Sequence, residues 1–364
     1  KCPKEDFLRK CLDQYIKGSV SFRDDFSAYN ADLDVEYNKL FIHFPVAFVH
    51  PVDILDIQNT IKCGTKLNFP IVARSGGHST EDYSIGDKDC YLVIDLVNLN
   101  KITIDPTSQT AIVETGNTLN PFYYIINRHG FAFPAGICPF IGVSGHILGG
   151  GIGQLSRKFG YSSDNILDAQ IVLANGTVVS NAKEYPELFW LFEKQEMQAM
   201  DISYPEDYSM NISITNQLGN DFHHNLTFSI SPKLQPNIYG IYLGSADELQ
   251  PHIQEFIKLS KPKNVSYIEN DLYKLIIYDS ASLGENRYLK IKSLYIDSPG
   301  LSDGGVKYLM KFLESLKYDL IIEILLIGGR IDEIKRDETA FVHRGFMYHI
   351  GIGVDLHSKM CLRD

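Results

Sequence analysis

The chain has 364 residues, 44% apolar and 22% charged, enough to bury a substantial core in one large or two intimate domains. Its net charge of −11, with no basic tract to neutralise phosphates, excludes a nucleic-acid binder. No apolar run is long enough to cross a bilayer, which excludes an integral helical membrane protein.

Residues 4–17 predict a first helix, with Phe7, Leu8, Leu12 and Ile16 at helical spacing and Gly18 as its stop. Phe41 to Val49 reads as a strand. Pro51 opens a helix whose Ile54, Ile57 and Ile61 share one face. A short strand, Pro70 to Ala73, then runs into Arg74-Ser-Gly-Gly-His-Ser79. Strand, helix and strand in this order make an α/β arrangement. Cys90 to Leu96 and Ala111 to Thr115 read as further strands, and Thr118 caps a helix that runs through Asn127 and ends at Gly130. Ala169 to Ala174 and Thr177 to Ser180 flank Asn175-Gly176, a strong hairpin signal. Past Trp190 the pattern changes. Strands at Asn225 to Ile230, Ile238 to Leu243, Tyr288 to Tyr295 and Ile322 to Ile327 alternate with helices at Ala246 to Leu259 and Gly305 to Leu316. Three segments result: a first lobe over 1–205, a second over 206–330, and a return to the first over 331–364.

Two stretches carry the chemistry. One is the Arg74–Ser79 loop; the other is Gly136-Ile-Cys-Pro-Phe-Ile-Gly-Val-Ser-Gly-His-Ile-Leu-Gly-Gly-Gly-Ile-Gly153. Glycine lets a main chain approach a phosphate closely, and consecutive free N–H groups form an anion-binding nest. His78 follows Gly76 and Gly77, and Cys138 precedes a backbone nearly stripped of side chains. A ring nitrogen and a thiolate in such loops can hold a phosphate-bearing cofactor and bond to it. Spacing alone favours a turn histidine at 78 and leaves Cys138 open to being a core cysteine. Gly149 to Gly153 lacks the G-x-G-x-x-G spacing and the preceding apolar strand, so a Rossmann reading is rejected.

The six cysteines include no C-x-x-C pair, which argues against a zinc site; no metal is expected. Four glycosylation sequons begin at Asn175, Asn211, Asn225 and Asn264, and with the widely spaced cysteines they point to a secreted protein. The chain opens at Lys1 without methionine and reads as mature or trimmed.

The two loops, in this order, resemble those of the berberine bridge enzyme-like oxidoreductases. These are flavoproteins with a bicovalently bound FAD and the vanillyl-alcohol oxidase (PCMH) type of FAD fold. The family's R-S-G-G-H-S stands at Arg74 to Ser79, and its C-P-x-x-G-V-x-G-H-x-x-G-G-G-x-G at Cys138 to Gly153. Leu155 to Ile166, Asp168 to Thr177 and Glu187 to Trp190 also fit. The likeness is dense over 45–190, thin to Tyr288, and returns in Lys290 to Ser293, Gly328 to Arg330 and Thr339 to Arg344.

The resemblance implies an α+β fold: a PCMH-type FAD-binding lobe of two α/β subdomains, plus a substrate lobe whose antiparallel sheet, flanked by helices, covers the flavin ring. It implies bonds from His78 to the flavin 8α-methyl and from Cys138 to C6. Two bonds fix the ring and make it more electron-poor. The FAD site comprises Arg74, Ser75, Gly76, Gly77, His78, Ser79, Cys138, Gly142, Val143, Gly145, His146, Gly150 and Gly153. Gly76, Gly77, Gly142 and Gly145 present N–H groups to the pyrophosphate, Arg74 steadies its loop or meets a phosphate, and His146 orients or packs. Cys11 and Cys63 match the family's usual disulfide. Ile141 matches a position whose size governs oxygen access, and a branched side chain there implies slow reaction with oxygen. The implied reaction removes hydride from a CH–OH group and passes electrons to oxygen or another acceptor. The fungal-type pattern implies a small carbohydrate substrate; an alcohol or secondary metabolite is the alternative, and a non-catalytic flavin-binding protein the third reading.

Several positions depart from the family pattern. Thr80 and Ile152 replace tyrosines that many members carry. The segment after H-R ends in I-Q-Y in the family, where the glutamine or a glutamate reaches the substrate; here Gly351 holds that place. Without it no catalytic base is identified, and Tyr348 and His349 are the candidates. Glu193 to Ile202 stands where the family has R-G-G-G-G-x-F-G. Its possible codons, read one base earlier, can give Arg-Glu-Ala-Gly-Asn-Ala-Ser-Tyr-Gly-Tyr, so the departure reads as a frame slip. The family's closing Y-x-N segment has no counterpart.

Overall fold

The computed structural model describes residues 2–40, 43–81, 83–185, 187–188, 209–215, 227–230, 237–260, 264–271, 273–275, 288–297, 302–315, 320–336 and 341–355. Residues 193–202, where the frame slip is read, and the sequon asparagine Asn225 lie outside them.

The first lobe begins with α1 (Glu5–Tyr15), β1 (Ser19–Phe22), α2 (Phe26–Asp34), β2 (Ala47–His50), α3 (Ile54–Leu67), β3 (Ile71–Arg74) and β4 (Leu92–Asp95). The strands form one sheet in the order β1-β2-β4-β3, with β2, β4 and β3 parallel and β1 antiparallel at the edge. All four residues of β4 are buried, as a strand covered on both faces requires. Leu8 and Leu12 of α1 pack with Val46, Ala47, Val49, Cys63 and Leu92 on one side. Tyr29 of α2 packs with Phe48 and Val93 on the other. Sequence periodicity missed β1 and α2, because β1 has only four residues and α2 has no clean apolar stripe. A buried carboxylate ties the junction: Asp56 accepts the N–H groups of Lys17 (2.9 Å), Gly18 (3.0 Å) and Val52 (3.1 Å). Gly18 is obligatory, since a Cβ there would stand 1.9 Å from the His50 carbonyl oxygen. Two disulfides fasten α1 to this lobe. Cys11–Cys63 is the pair the resemblance implies, and Cys2–Cys90 is a second.

The rest of the lobe holds the hairpin β5 (Ile102–Asp105) and β6 (Thr110–Val113), then α4 (Leu119–Arg128), α5 (Val143–Leu148), α6 (Ser156–Phe159) and the short hairpin β7 (Ile171–Val172) and β8 (Val178–Val179). Thr118 sits at the start of α4, but its side chain makes no cap bond; the helix is held by the packing of Leu119, Phe122, Tyr123 and Ile126. Gly176 takes φ +82 in the Asn-Gly turn, as the sequence predicts.

The second lobe is a seven-stranded sheet in the order β12-β9-β11-β10-β14-β15-β13, so the expected return of 331–364 to the first lobe is corrected: residues 346–355 supply β15, which pairs with β13 and β14 in this sheet. Its strands are β9 (Ser209–Thr215), β10 (Thr227–Ile230), β11 (Asn237–Leu243), β12 (Asn264–Glu269), β13 (Leu289–Asp297), β14 (Leu320–Leu326) and β15 (Phe346–Asp355). Helices α7 (Ala246–Ser260) and α8 (Asp303–Ser315) supply the connections, and α9 (Arg330–Glu333) follows β14. The expected antiparallel sheet is corrected in part. It is antiparallel from β11 to β13, but β12, β9 and β11 run parallel. The helix α7 between β11 and β12 makes that crossover possible.

One side chain clamps the lobes together. Asn38, fully buried, donates to the carbonyls of Thr80 (2.6 Å) and Leu289 (3.0 Å), and its Oδ1 accepts the N–H of Leu289 (3.0 Å) and of Leu40 (3.1 Å). A second tie is the buried ion pair of Arg344 with Asp164, Nη1 to Oδ2 at 2.8 Å. Replacing Asn38 with Ala strands these buried backbone groups. The expected loss is about 3 kcal/mol of unfolding free energy, read from the denaturant midpoint.

Candidate functional site

Strand β3 ends in Arg74, and the site begins there. Its guanidinium is fully buried. Nε donates to Asp95 Oδ2 at 3.0 Å, and Nη1 donates to Glu36 Oε1 at 3.1 Å and to the Asp32 carbonyl at 2.6 Å. The Phe48 ring lies 4.6 Å from it. These bonds engage the guanidinium within the protein, the geometry that the loop-steadying role requires. Removing one partner from such a buried pair costs about 3–5 kcal/mol. Asp32 also pairs with His50, Oδ1 to Nε2 at 2.9 Å. Burial alone would pull the His50 imidazole down, but the Asp32 hydrogen bond and charge hold it above its ordinary value.

The loop that follows is pressed against the second loop, backbone to backbone. A Cβ on Gly76 would stand 2.4 Å from the Gly142 nitrogen, and one on Gly142 would stand 2.3 Å from Ser75 Oγ. Ser75 Oγ donates to the Thr115 carbonyl at 2.5 Å. Gly77 takes φ +65, which turns the chain so that His78 points back across the contact. Tyr37 fixes this turn twice. Its N–H donates to the Gly77 carbonyl at 2.9 Å, and its ring stacks on His78 with centroids 4.0 Å apart and planes 18° apart. Ser79 turns inward to the chain: its Oγ accepts the N–H of Glu81 (3.3 Å) and Tyr83 (3.1 Å).

On the second loop, Cys138 is buried and outside both disulfides, with Sγ 3.9 Å from His78 Nε2. Gly136 is held at both ends: its N–H donates to His146 Nε2 (2.8 Å), and its carbonyl accepts from the Tyr123 hydroxyl (2.8 Å). His146 thus holds Gly136 through an Nε2 that accepts and carries no proton. Three expected ligand residues already spend their N–H groups within the protein. Val143 donates to the Asn117 carbonyl, Gly150 to the Ile147 carbonyl and Gly153 to Ser156 Oγ, so these three shape the loop. The remainder fit a phosphate-bearing cofactor. Among the described residues no acceptor takes the N–H of Gly76, Gly77 or Gly142, and a Cβ on Gly145 would meet nothing within 4 Å. Burial sets the charge states. The His78 imidazole drops to about 4 and the Cys138 thiol rises to about 11, so both are neutral near pH 7.

Opposite these loops stands the β13-β15-β14 part of the large sheet. It separates the two candidate bases. Tyr348 joins Ile296, Ile322, Ile324, Ile350 and Ile352 in an apolar cluster on one face. His349, on the other face, is 1% exposed and has no partner for either ring nitrogen among the described residues. The Tyr295 ring lies 5.0 Å from it, and the Tyr295 hydroxyl is also without a partner. Sequence reading missed Tyr37, Asn38 and Tyr295, which lie outside any motif and join the site only through tertiary contact.

His146 generates a pH prediction. In the fold, burial holds it near 4, whereas the unfolded chain takes up a proton near 6.5. Between those values the unfolded state binds more protons, so stability rises with pH through the window and is lost as pH falls from about 6.5 towards 4. Urea midpoints at pH 7 and pH 5 should differ, and His146→Gln, which keeps an acceptor but no titration, should reduce the difference.

Fold and site together define a flavin-binding protein. Residues 45–181 match the FAD binding domain family. Over 355 residues the chain is 33% identical to berberine bridge enzyme-like 14 of Arabidopsis thaliana, covering 84% of this chain and 67% of that one. It is 29% identical to the tetrahydroberberine oxidase of Berberis wilsoniae, covering 95% and 76%. Among solved structures, the wild-type BBE-like 1 of Physcomitrella patens superposes with a TM-score of 0.81 at 27% identity, covering 96% of this chain and 84% of that one. A chitooligosaccharide oxidase shares the fold, with a TM-score of 0.78 at 20% identity and coverage of 97% and 83%. The chain belongs to the berberine bridge enzyme-like FAD-linked oxidoreductases, and it spans about two thirds of the length of the first of these relatives.

Proposed function

We propose that this chain holds FAD through bonds at both His78 and Cys138 and oxidises a CH–OH group of a small carbohydrate. The observation that carries the linkage is the 3.9 Å approach of Cys138 Sγ to His78 Nε2 from two separate loops. The cysteine is in no disulfide, and burial keeps the imidazole unprotonated near pH 7. Gly76, Gly77, Gly142 and Gly145 would cradle the pyrophosphate, and Arg74, Tyr37 and His146 would keep the loops in place. When bound, the flavin supplies a two-electron acceptor for hydride. Oxygen or another acceptor would take the electrons, and Ile141, in the same loop as Cys138, fits slow use of oxygen.

The carbohydrate reading rests on the resemblance and on the polar face opposite the loops. Ser293, Tyr295, Glu323 and His349 offer hydrogen bonds where a polyol needs them. Secretion is supported by two disulfides and by an exposed sequon asparagine, Asn175, in a surface turn.

Acid precipitation of the purified protein tests the linkage. The pellet should stay yellow in the wild type and in each single variant, His78→Ala and Cys138→Ala, and lose its colour only in the double variant. A colourless wild type, or flavin freely released into the supernatant, would sink the proposal. Reduction of an artificial acceptor by a panel of sugars tests the substrate class. Turnover of an alkaloid with none of the sugars would replace it with the secondary-metabolite reading.

A further inference from the structure

The proposed function needs a base. An alcohol gives up its hydroxyl proton as hydride leaves carbon, and a side chain within hydrogen-bond reach must take that proton. At the position where the resemblance places a substrate-reaching side chain, Gly351 offers none. The sheet register supplies a neighbour. Gly351 of β15 lies opposite Ser293 of β13 on one side and opposite Glu323 of β14 on the other. Cross-strand partners share a face, so Glu323 and Ser293 flank the gap that the glycine leaves.

Packing decides which way that face looks. Alternate residues of one strand lie on the same side. Leu289 and Ile291, on the Ser293 side of β13, are buried against Tyr37, which stacks on His78. Tyr295, also on that side, packs on the cluster of Tyr161, Ile327 and Phe341 with Ile152. Ile327 lies four residues beyond Glu323. The back of the sheet is accounted for by Ile322, Ile324, Tyr348, Ile350 and Ile352. Glu323 therefore faces the first lobe, between the contact that reaches His78 and the contact that reaches Ile152. It is only 8% exposed, and no cation pairs with it among the described residues. Gly353, the next residue of β15 on this face, also lacks a side chain, so the strand leaves room for a ligand there. A carboxylate withdrawn from water is costly unless it meets a proton or a ligand.

We propose that Glu323 is the catalytic base of this chain, a carboxylate on β14 that does the work of the side chain missing at Gly351. The substrate O–H bond breaks towards the Glu323 carboxylate, which becomes the acid. The C–H bond breaks with its electron pair leaving as hydride to the flavin, and the substrate becomes a carbonyl compound.

The test uses the purified flavoprotein and the variants Glu323→Gln, Glu323→Asp and the double variant Glu323→Gln with Gly351→Glu. The first arm needs no substrate: the visible flavin bands are followed from pH 4 to 9. A carboxylate that faces the ring should add a titration step in the wild type and Glu323→Asp that Glu323→Gln lacks. His349 and Tyr295 on the same face, and Glu81, Lys290 and Lys292 at the β13 edge, are common to all variants. The second arm is sugar turnover with a dye acceptor. Glu323→Gln should lower kcat by about 10²–10⁴-fold with the acid limb of the pH profile lost, and the double variant should regain part of it. Indistinguishable flavin titrations, or an unchanged kcat and pH profile in Glu323→Gln, would overturn the assignment. A wild type that shows the titration step but oxidises no sugar overturns the carbohydrate reading and leaves Glu323 in place. A protein without flavin overturns both.

Discussion

The structure depends on one close approach. Two loops that are far apart in sequence lie backbone against backbone at Gly76 and Gly142, where a Cβ on either would collide with the other loop. That contact brings Cys138 to His78. Any side chain at either glycine would push the loops apart and separate the two nucleophiles. Glycine is costly in a flexible loop, since it has the most conformational freedom to lose. The surroundings offset that cost. Arg74 nails the start of one loop to Asp95, Glu36 and the Asp32 carbonyl, and Tyr123 with His146 grips Gly136 at the start of the other.

These supports explain why the motif residues divide into two groups. Arg74, Ser79, Val143, His146, Gly150 and Gly153 are occupied by the protein itself, while among the described residues no acceptor takes the N–H of Gly76, Gly77 or Gly142 and a Cβ on Gly145 would meet nothing within 4 Å. The motif thus mixes groups left open to a ligand with groups that hold the first set in place. Sequence alone does not separate them, because both are fixed by the same backbone.

What the sequence made legible follows the same physical line. Periodicity found α1 and α3, whose apolar faces repeat along the chain, the flanking Thr118 and Gly130 marked α4, and the Asn-Gly turn marked the hairpin at Gly176. The loops were legible because glycine clusters are rare punctuation. The parallel pairing of β12, β9 and β11 was not, since register and direction are properties of two strands at once. Nor were Tyr37 and Asn38, which lie in an ordinary stretch of chain and reach the site only when β13 closes over them.

Glu323 is the sharpest case of that limit. In the sequence it is a lone acid in the apolar run Leu320–Leu326, a pattern that reads as a local flaw in a buried strand. Register turns it into a partner of Gly351. A glycine in the middle of a central strand costs stability on its own account. A buried acid does so as well. Each makes sense once they are neighbours on one face, because the space that one vacates is the space that a ligand of the other requires. Two local violations that resolve into one site are what a sheet under functional constraint leaves in its sequence.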